Sequence, residues 1–244
     1  MGDMAWVTFD LFSALIDARS GGAAAFGAIA AGHGWDVAGT DLYDDWDARN
    51  KASQKDTPDD DGAPWVPFAE HCWRALAASY AARGLDADAA TVAADTAALL
   101  GSLPDWPLWP DVATALPVIA RQHRVGVLSN VDDDLFARTR VAALVAGLSD
   151  PDAVLTSERL RAYKPHPRLY RRAADAGVDV HVPASARDTR GALEAGLVVV
   201  RVRRPGHRVD PAGPQPQHEV ADLTELTDVL APLGWGTAGN PPRA

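Results

Sequence analysis

Cysteine is almost missing: Cys72 stands alone in 244 residues, which excludes an intramolecular disulfide and any multi-cysteine zinc site. A reducing compartment suits such a chain, and a cytoplasmic location is expected. Long apolar runs are missing as well. No stretch approaches the roughly 20 residues of a membrane span, and MGDMAWVTFD at the N-terminus lacks a basic segment followed by an apolar one, so neither a membrane partner nor a secretory signal is expected. Positive charge is scarce, with 23 Lys and Arg against 33 Asp and Glu and a net charge of −10. That balance argues against a nucleic-acid partner, and an anionic small molecule would need a locally positive pocket.

What is present is an ordinary globular composition, 47% apolar and 23% charged, which excludes collagen-like, coiled-coil and wholly disordered classes. Nearly continuous apolar runs at Ala5 to Phe9, Arg124 to Leu128, Ala153 to Leu155, Val178 to Val182 and Leu197 to Val202 read as buried parallel strands. Stretches of helical length, Pro110 to Gln122, Pro165 to Ala176 and Arg187 to Ala195, separate them. The alternation predicts an α/β fold, a Rossmann-like doubly wound parallel sheet. About Asp17 to Leu103 breaks the rhythm with four helix-like stretches and no convincing strand.

The expected organisation is therefore a core of residues 1–16 and 104–235, an inserted α-helical cap over 17–103, and a flexible Gly- and Pro-rich tail over 236–244. In the cap, Leu42, Trp46 and Arg49 share one helical face and Phe68, Cys72 and Leu76 another, so both helices must pack on something. A spare apolar cap face would allow a homodimer. Lys55 to Pro64 reads as a loop by its Pro, Gly and Asp content. Trp46, Trp65, Trp73, Trp106 and Trp109 are assigned mainly to packing within the cap and between cap and core. Cys72 reads as an inert core thiol, His166 and His181 as structural, and RVRRPGHR, Arg201 to Arg208, as a solvated edge or an anion-attracting rim.

Ligands of doubly wound folds sit beyond the carboxyl ends of the strands, and four polar clusters fall there. Asp10 follows the first strand, in WVTFDLFSALID. A carboxylate at that point is costly unless donors or cations meet it. Ser129 and Asn130 end the second strand in VGVLSN, YKPHPRLY places Lys164 before a proline-started helix that carries Tyr170, and HVPASARD brings Ser185 and Asp188 to the same edge. If the strands are neighbours, Asp10, Ser129, Lys164 and Asp188 converge on one cleft.

FDxxxxLxD, LSN, YKPxPxxY and SxxDxxGAxxAG, in this order and each at a strand end, resemble the four motifs of the haloacid dehalogenase superfamily. The resemblance covers the whole core and puts the helical segment where that family inserts its cap. It implies that Asp10 is the attacking carboxylate, that Ser129 orients it or the substrate, and that Lys164 neutralises the clustered charge. Most members are Mg²⁺-dependent phosphatases with a second Asp two residues after the nucleophile. Here that residue is Phe12, which cannot protonate a leaving alkoxide.

An aromatic at this position, together with Tyr170, is similar instead to the 2-haloacid dehalogenase branch, which uses no metal or other cofactor. That branch implies halide displacement by Asp10, a substrate carboxylate held by Lys164 and Ser129, a hydrolytic water positioned by Asp188, and a halide received by a cap arginine, here Arg49. Phe12, Asn130, Tyr170 and Ser185 join Arg49 as expected substrate contacts. Ser13 and Ala14 replace a Gly-Thr pair and Pro183 and Ser185 replace Ser and Asn, so a hydroxyl beside the nucleophile is expected to be absent, with Ser185 bonding Lys164 as a partial substitute. The expected function is metal-independent hydrolysis of a small anionic or apolar organic molecule through an aspartyl ester. A divergent phosphatase holding Mg²⁺ with Asp10 and Asp188, and a binding or regulatory protein that has lost catalysis, are the alternatives.

Overall fold

The computed structural model describes residues 4–55 and 64–233. The Val-rich runs form strands because both sheet faces are covered and alternation confers no advantage. β1, Trp6–Phe9, is buried at all four positions. The chain then leaves the sheet through a single π turn, Leu11–Leu15, and enters four helices, α1 Ala18–His33, α2 Gly39–Lys55, α3 Phe68–Arg83 and α4 Ala89–Gly101. α5, Val112–Ile119, leads back to β2, Arg124–Ser129, followed by α6 Asp133–Ala137, α7 Arg140–Ala146, β3 Val154–Thr156 and α8 Ser157–Leu160. α9 Pro167–Asp175, β4 Val180–Val182, α10 Ala186–Glu194, β5 Val198–Val202, β6 His218–Val220 and α11 Leu226–Leu230 complete the order.

The strands form one parallel sheet in the order β3-β2-β1-β4-β5-β6. Strand order reverses direction around β1, which pairs with β2 on one side and β4 on the other. The crevice at that switch point is where such sheets place ligands, and Asp10 stands at its base. β4 and β5 start later than their apolar runs, because Gly177 and Gly196 take positive φ of 106° and 83° to turn the chain out of the preceding helices. β6 was not expected: His218–Val220 is three residues long with only Val220 buried, too short to show a period. The tail expectation at 236–244 and most of the Lys55 to Pro64 loop lie outside the described residues.

The helical segment closes over the crevice. Leu42 and Trp46 of α2 and Phe68, Cys72 and Leu76 of α3 are buried, as their shared faces required. Hydrogen bonds tie this segment to the sheet side. Both Asp132 carboxylate oxygens accept from the start of α3, at Phe68 N (2.8 Å) and Ala69 N (2.9 Å), the Tyr163 hydroxyl donates to Val66 O (2.8 Å), and Asn130 Nδ2 donates to Gln54 Oε1 (2.7 Å). Among the described residues no helix is long and apolar enough to cross a membrane.

α1 and α2 cross where Gly39 meets α1 backbone. A Cβ on Gly39 would lie 2.2 Å from Ala23 O and 2.5 Å from Gly27 N, and backbone cannot move aside as a side chain could. Gly39→Ala should therefore lower stability by about 1–3 kcal/mol, read in urea denaturation as a lower midpoint with an unchanged slope.

Candidate active site

Asp10 leaves β1 with extended backbone and caps the π turn, so its side chain folds back over the turn it begins. Oδ2 accepts from Ser13 N at 3.0 Å and from the Ser13 hydroxyl at 2.5 Å. Oδ1 accepts from Lys164 Nζ at 3.0 Å and faces the Ser129 hydroxyl at 3.3 Å. Asp10 is 8% exposed, which is tolerable only because these donors replace water. The hydroxyl expected to be missing beside the nucleophile is thus present: Ser13 supplies it, one position before the Ala14 that prompted the expectation.

Lys164 bridges Asp10 to Asp188, whose Oδ2 lies 2.6 Å from Nζ. The Nε2 of His181, a fully buried residue, lies 3.3 Å from the same ammonium and 3.1 Å from Asp188 Oδ2, and its Nδ1 meets the Thr8 hydroxyl at 3.0 Å. The Tyr170 hydroxyl donates to Asp188 Oδ1 at 2.8 Å. Burial alone would raise the Asp188 carboxyl, but the Lys164 ammonium and His181 outweigh it and hold the group well below the ordinary carboxylate range. Burial and the adjacent Asp188 push the Tyr170 phenol far up, so it stays a neutral donor. α10 can approach this closely because Gly191 faces the tyrosine, where a Cβ would lie 2.8 Å from the hydroxyl.

Above the carboxylate lies a cavity of about 410 Å³. Phe12, Trp46, Phe68, Trp106 and Trp109 form its apolar wall; Phe12 stacks on Phe68 with centroids 5.9 Å apart and meets the edge of Trp106. The polar wall comes from α2, where Asp47, Asn50, Lys51 and Gln54 point inward at i, i+3, i+4 and i+7 of one stripe. Ser185 and Arg187 from the start of α10, and His207 from the loop after β5, complete it. Arg187 donates to the carbonyls of Lys51 (3.0 Å) and Lys164 and lies 3.4 Å from Gln54 Oε1.

Asp10, Ser129, Lys164 and Asp188 therefore meet as their strand-end positions implied, and Phe12, Asn130 and Ser185 line the cavity. Other expectations need correction. Arg49 does not line the cavity; it falls off the inward stripe of α2 and pairs with Asp45 at 3.0 Å. Tyr170 is fully buried behind Asp188 and also lies outside the cavity lining. Ser185 accepts from Asp188 N at 3.4 Å as the cap of α10, and the third neighbour of the ammonium is His181, not Ser185. The Lys164 ammonium thus has Asp10, Asp188 and His181 as its close neighbours. RVRRPGHR is a solvated edge only in part: Arg203 and Arg208 are exposed, whereas Arg201 and Arg204 are buried and Arg204 grips Ala14 O and Asp111.

Sequence reasoning missed Ser13, His181, Arg187 and His207. The signal for His181 was available, since a histidine inside a Val-rich buried strand must have a polar partner. Asp10 and Asp188 direct oxygens at the same ammonium, and Phe12 offers no ligand oxygen from its side chain, so the arrangement does not fit a Mg²⁺ site. Among the described residues no group of three or more His, Cys, Asp or Glu is disposed to hold a metal.

No protein-family model matches the chain. An (S)-2-haloacid dehalogenase 4A of Burkholderia cepacia is 32% identical over 141 residues, which is 54% of this chain and 59% of that protein, so the match spans little more than half the relative's length. Solved structures extend the likeness to the whole chain. An L-2-haloacid dehalogenase shares 26% identity at a TM-score of 0.74, covering 95% of this chain and 100% of the other. A defluorinating L-2-haloacid dehalogenase shares 26% at 0.75, covering 94% and 95%.

Asp188 titrates below its unfolded value, so it stabilises the fold above the ordinary carboxylate range and that contribution is lost as pH falls through it. Asp188→Asn should cost about 3–5 kcal/mol near neutrality, because Lys164 loses a buried partner. In denaturation series from about pH 7 to about pH 3, the gap between wild type and variant should narrow toward acid.

Proposed function

We propose that this chain, similar in sequence and fold to 2-haloacid dehalogenases, is a member of the haloacid dehalogenase superfamily and a metal-independent hydrolase working through an ester on Asp10. The observation that carries the reading is the single ammonium, Lys164 Nζ, bridging Asp10 and Asp188 at 3.0 and 2.6 Å. This bridge sets an ammonium against Asp10 in a buried pocket, where a carboxylate freed of bulk water becomes a competent nucleophile. One Asp10 oxygen attacks the carbon that bears the halogen, the carbon–halogen bond breaks, and halide leaves. Water then attacks the Asp10 carbonyl carbon, which releases the 2-hydroxy acid and restores the carboxylate.

Ser13 and Ser129 hold Asp10 in one rotamer through this cycle, and Asp188, fixed by Tyr170 and His181, holds the ammonium. Arg187 is the candidate anchor for the substrate carboxylate: it lines the cavity and donates to neutral carbonyls, not to a carboxylate. The aromatic wall favours an acid with an apolar substituent, for which about 410 Å³ leaves room. The helical segment serves as a cap that keeps water from the ester until hydrolysis.

Incubation with (S)-2-chloropropionate and with (S)-2-chloro-3-phenylpropionate should release halide at the same rate with and without EDTA. One turnover in H₂¹⁸O should leave label in the Asp10 peptide, and Asp10→Asn should lose activity by about 10³-fold or more. Halide release abolished by chelator, or product labelled with no label in Asp10, would overturn the reading.

A further inference from the structure

We propose that His207 is the catalytic base of the second half-reaction, taking the proton from the water that cleaves the Asp10 ester. The proposal rests on the aspartyl-ester reading and adds the residue which that reading lacks. Hydrolysis of the ester needs a group that accepts a proton beside the reacting carbon. The usual choice would be a carboxylate, but each one on the cavity wall is engaged. Asp17 takes Ser20 N and the Ser20 hydroxyl, Asp44 takes Arg19 through two bonds, and Asp47 takes Lys51 at 2.5 Å. Asp188 has Tyr170 on one oxygen and Lys164 and His181 on the other, and the ion pair that depresses it makes it a weak base.

His207 is different in kind. It lines the same cavity as Asp10, Ser13 and Ser129, and no hydrogen bond to its ring is found among the described residues. Its backbone is fixed: N donates to Arg204 O at 3.1 Å and O accepts from Arg201 Nη2 at 2.9 Å, while the preceding Gly206 turns the loop with φ of 80°. The residue is half-buried on a loop pinned at both ends, with an open ring facing the cavity of the nucleophile. Charged groups acting on it are Lys51 and Asp47 from α2, Asp10 from the end of β1, and Arg201 from β5. Burial first, and Lys51 next, lower its imidazolium below the usual histidine value, so the ring is neutral and able to accept a proton near pH 7.

In the step, a ring nitrogen of His207 takes a proton as the water oxygen bonds to the Asp10 carbonyl carbon. The ester C–O bond then breaks, and the departing alkoxide takes that proton back from the imidazolium. Asp10 ends as carboxylate, with one proton released as the acid ionises. The first half-reaction needs no base, because the attacking carboxylate carries no proton and halide leaves as an anion. Loss of His207 should therefore separate the two halves.

Wild type, His207→Gln and His207→Ala would be mixed with the two chloro acids while following halide in the first and later turnovers and the mass of the Asp10 peptide. The variants should release about one equivalent of halide at the wild-type rate, accumulate the Asp10 ester, and then turn over about 10²-fold more slowly or worse. Added imidazole should restore turnover to His207→Ala, and the acid limb of the steady-state pH profile should vanish in His207→Gln while the burst keeps its pH dependence. Steady-state rates equal to wild type with no ester accumulation would overturn the assignment. So would equal loss of burst and turnover without imidazole rescue, which marks a structural role. Wild type that releases no halide from either acid overturns the ester reading, and the base with it.

Discussion

One ammonium organises this molecule's chemistry. Lys164 Nζ stands in a buried pocket between Asp10 and Asp188, where buried carboxylates need such a partner in place of water. A buried ion pair is seldom a net gain for stability, since desolvating the charges costs about as much as their attraction returns. Its value here is arrangement. The sheet brings the carboxyl ends of β1, β2 and β4 side by side, and the ammonium joins the acids at two of those ends across the gap. Tyr170, His181 and Thr8 are fully buried beneath it; Tyr170 and His181 each bond Asp188, and Thr8 bonds His181, so that Asp188 cannot swing away.

The helical segment complements that fixed base with a wall of two characters. α2 alone provides both: its apolar face, with Leu42 and Trp46, packs inward, and the adjoining stripe of Asp47, Asn50, Lys51 and Gln54 faces the cavity. Gln54 links Asn130 and Arg187, and Asn130 Oδ1 accepts from Lys164 N at 2.7 Å. The lysine backbone is thereby coupled to α2 through side-chain amides, and any displacement of α2 is felt at the residue that bridges Asp10 and Asp188.

The sheet was legible because Val-rich runs buried on both faces leave a strong signal, and because Asp10, Ser129, Lys164 and Asp188 each sit beside one. β6 was not, since its three residues pair at an edge without a period. Arg49 misled for a geometric reason: a helix face deduced from two apolar residues is accurate only to about one residue in phase, and one residue turns a side chain by about 100°. Ser13 escaped because the expected hydroxyl was tied to a sequence position, whereas the π turn lets the preceding residue reach the same oxygen. His207 lies nearly two hundred residues from Asp10 in the chain, and only the fold of the loop after β5 reveals that the two share a cavity.

Arg204 carries a consequence for synthesis. Its guanidinium donates to Ala14 O at 2.8 and 3.1 Å and pairs with Asp111, so the last third of the polypeptide clasps the loop containing the reactive carboxylate near its start. A ribosome-bound fragment ending before β5 possesses Asp10, Lys164 and Asp188 but lacks that clasp. The turn that Asp10 caps is thus held in its final place only once the segment after β5 has folded back on it.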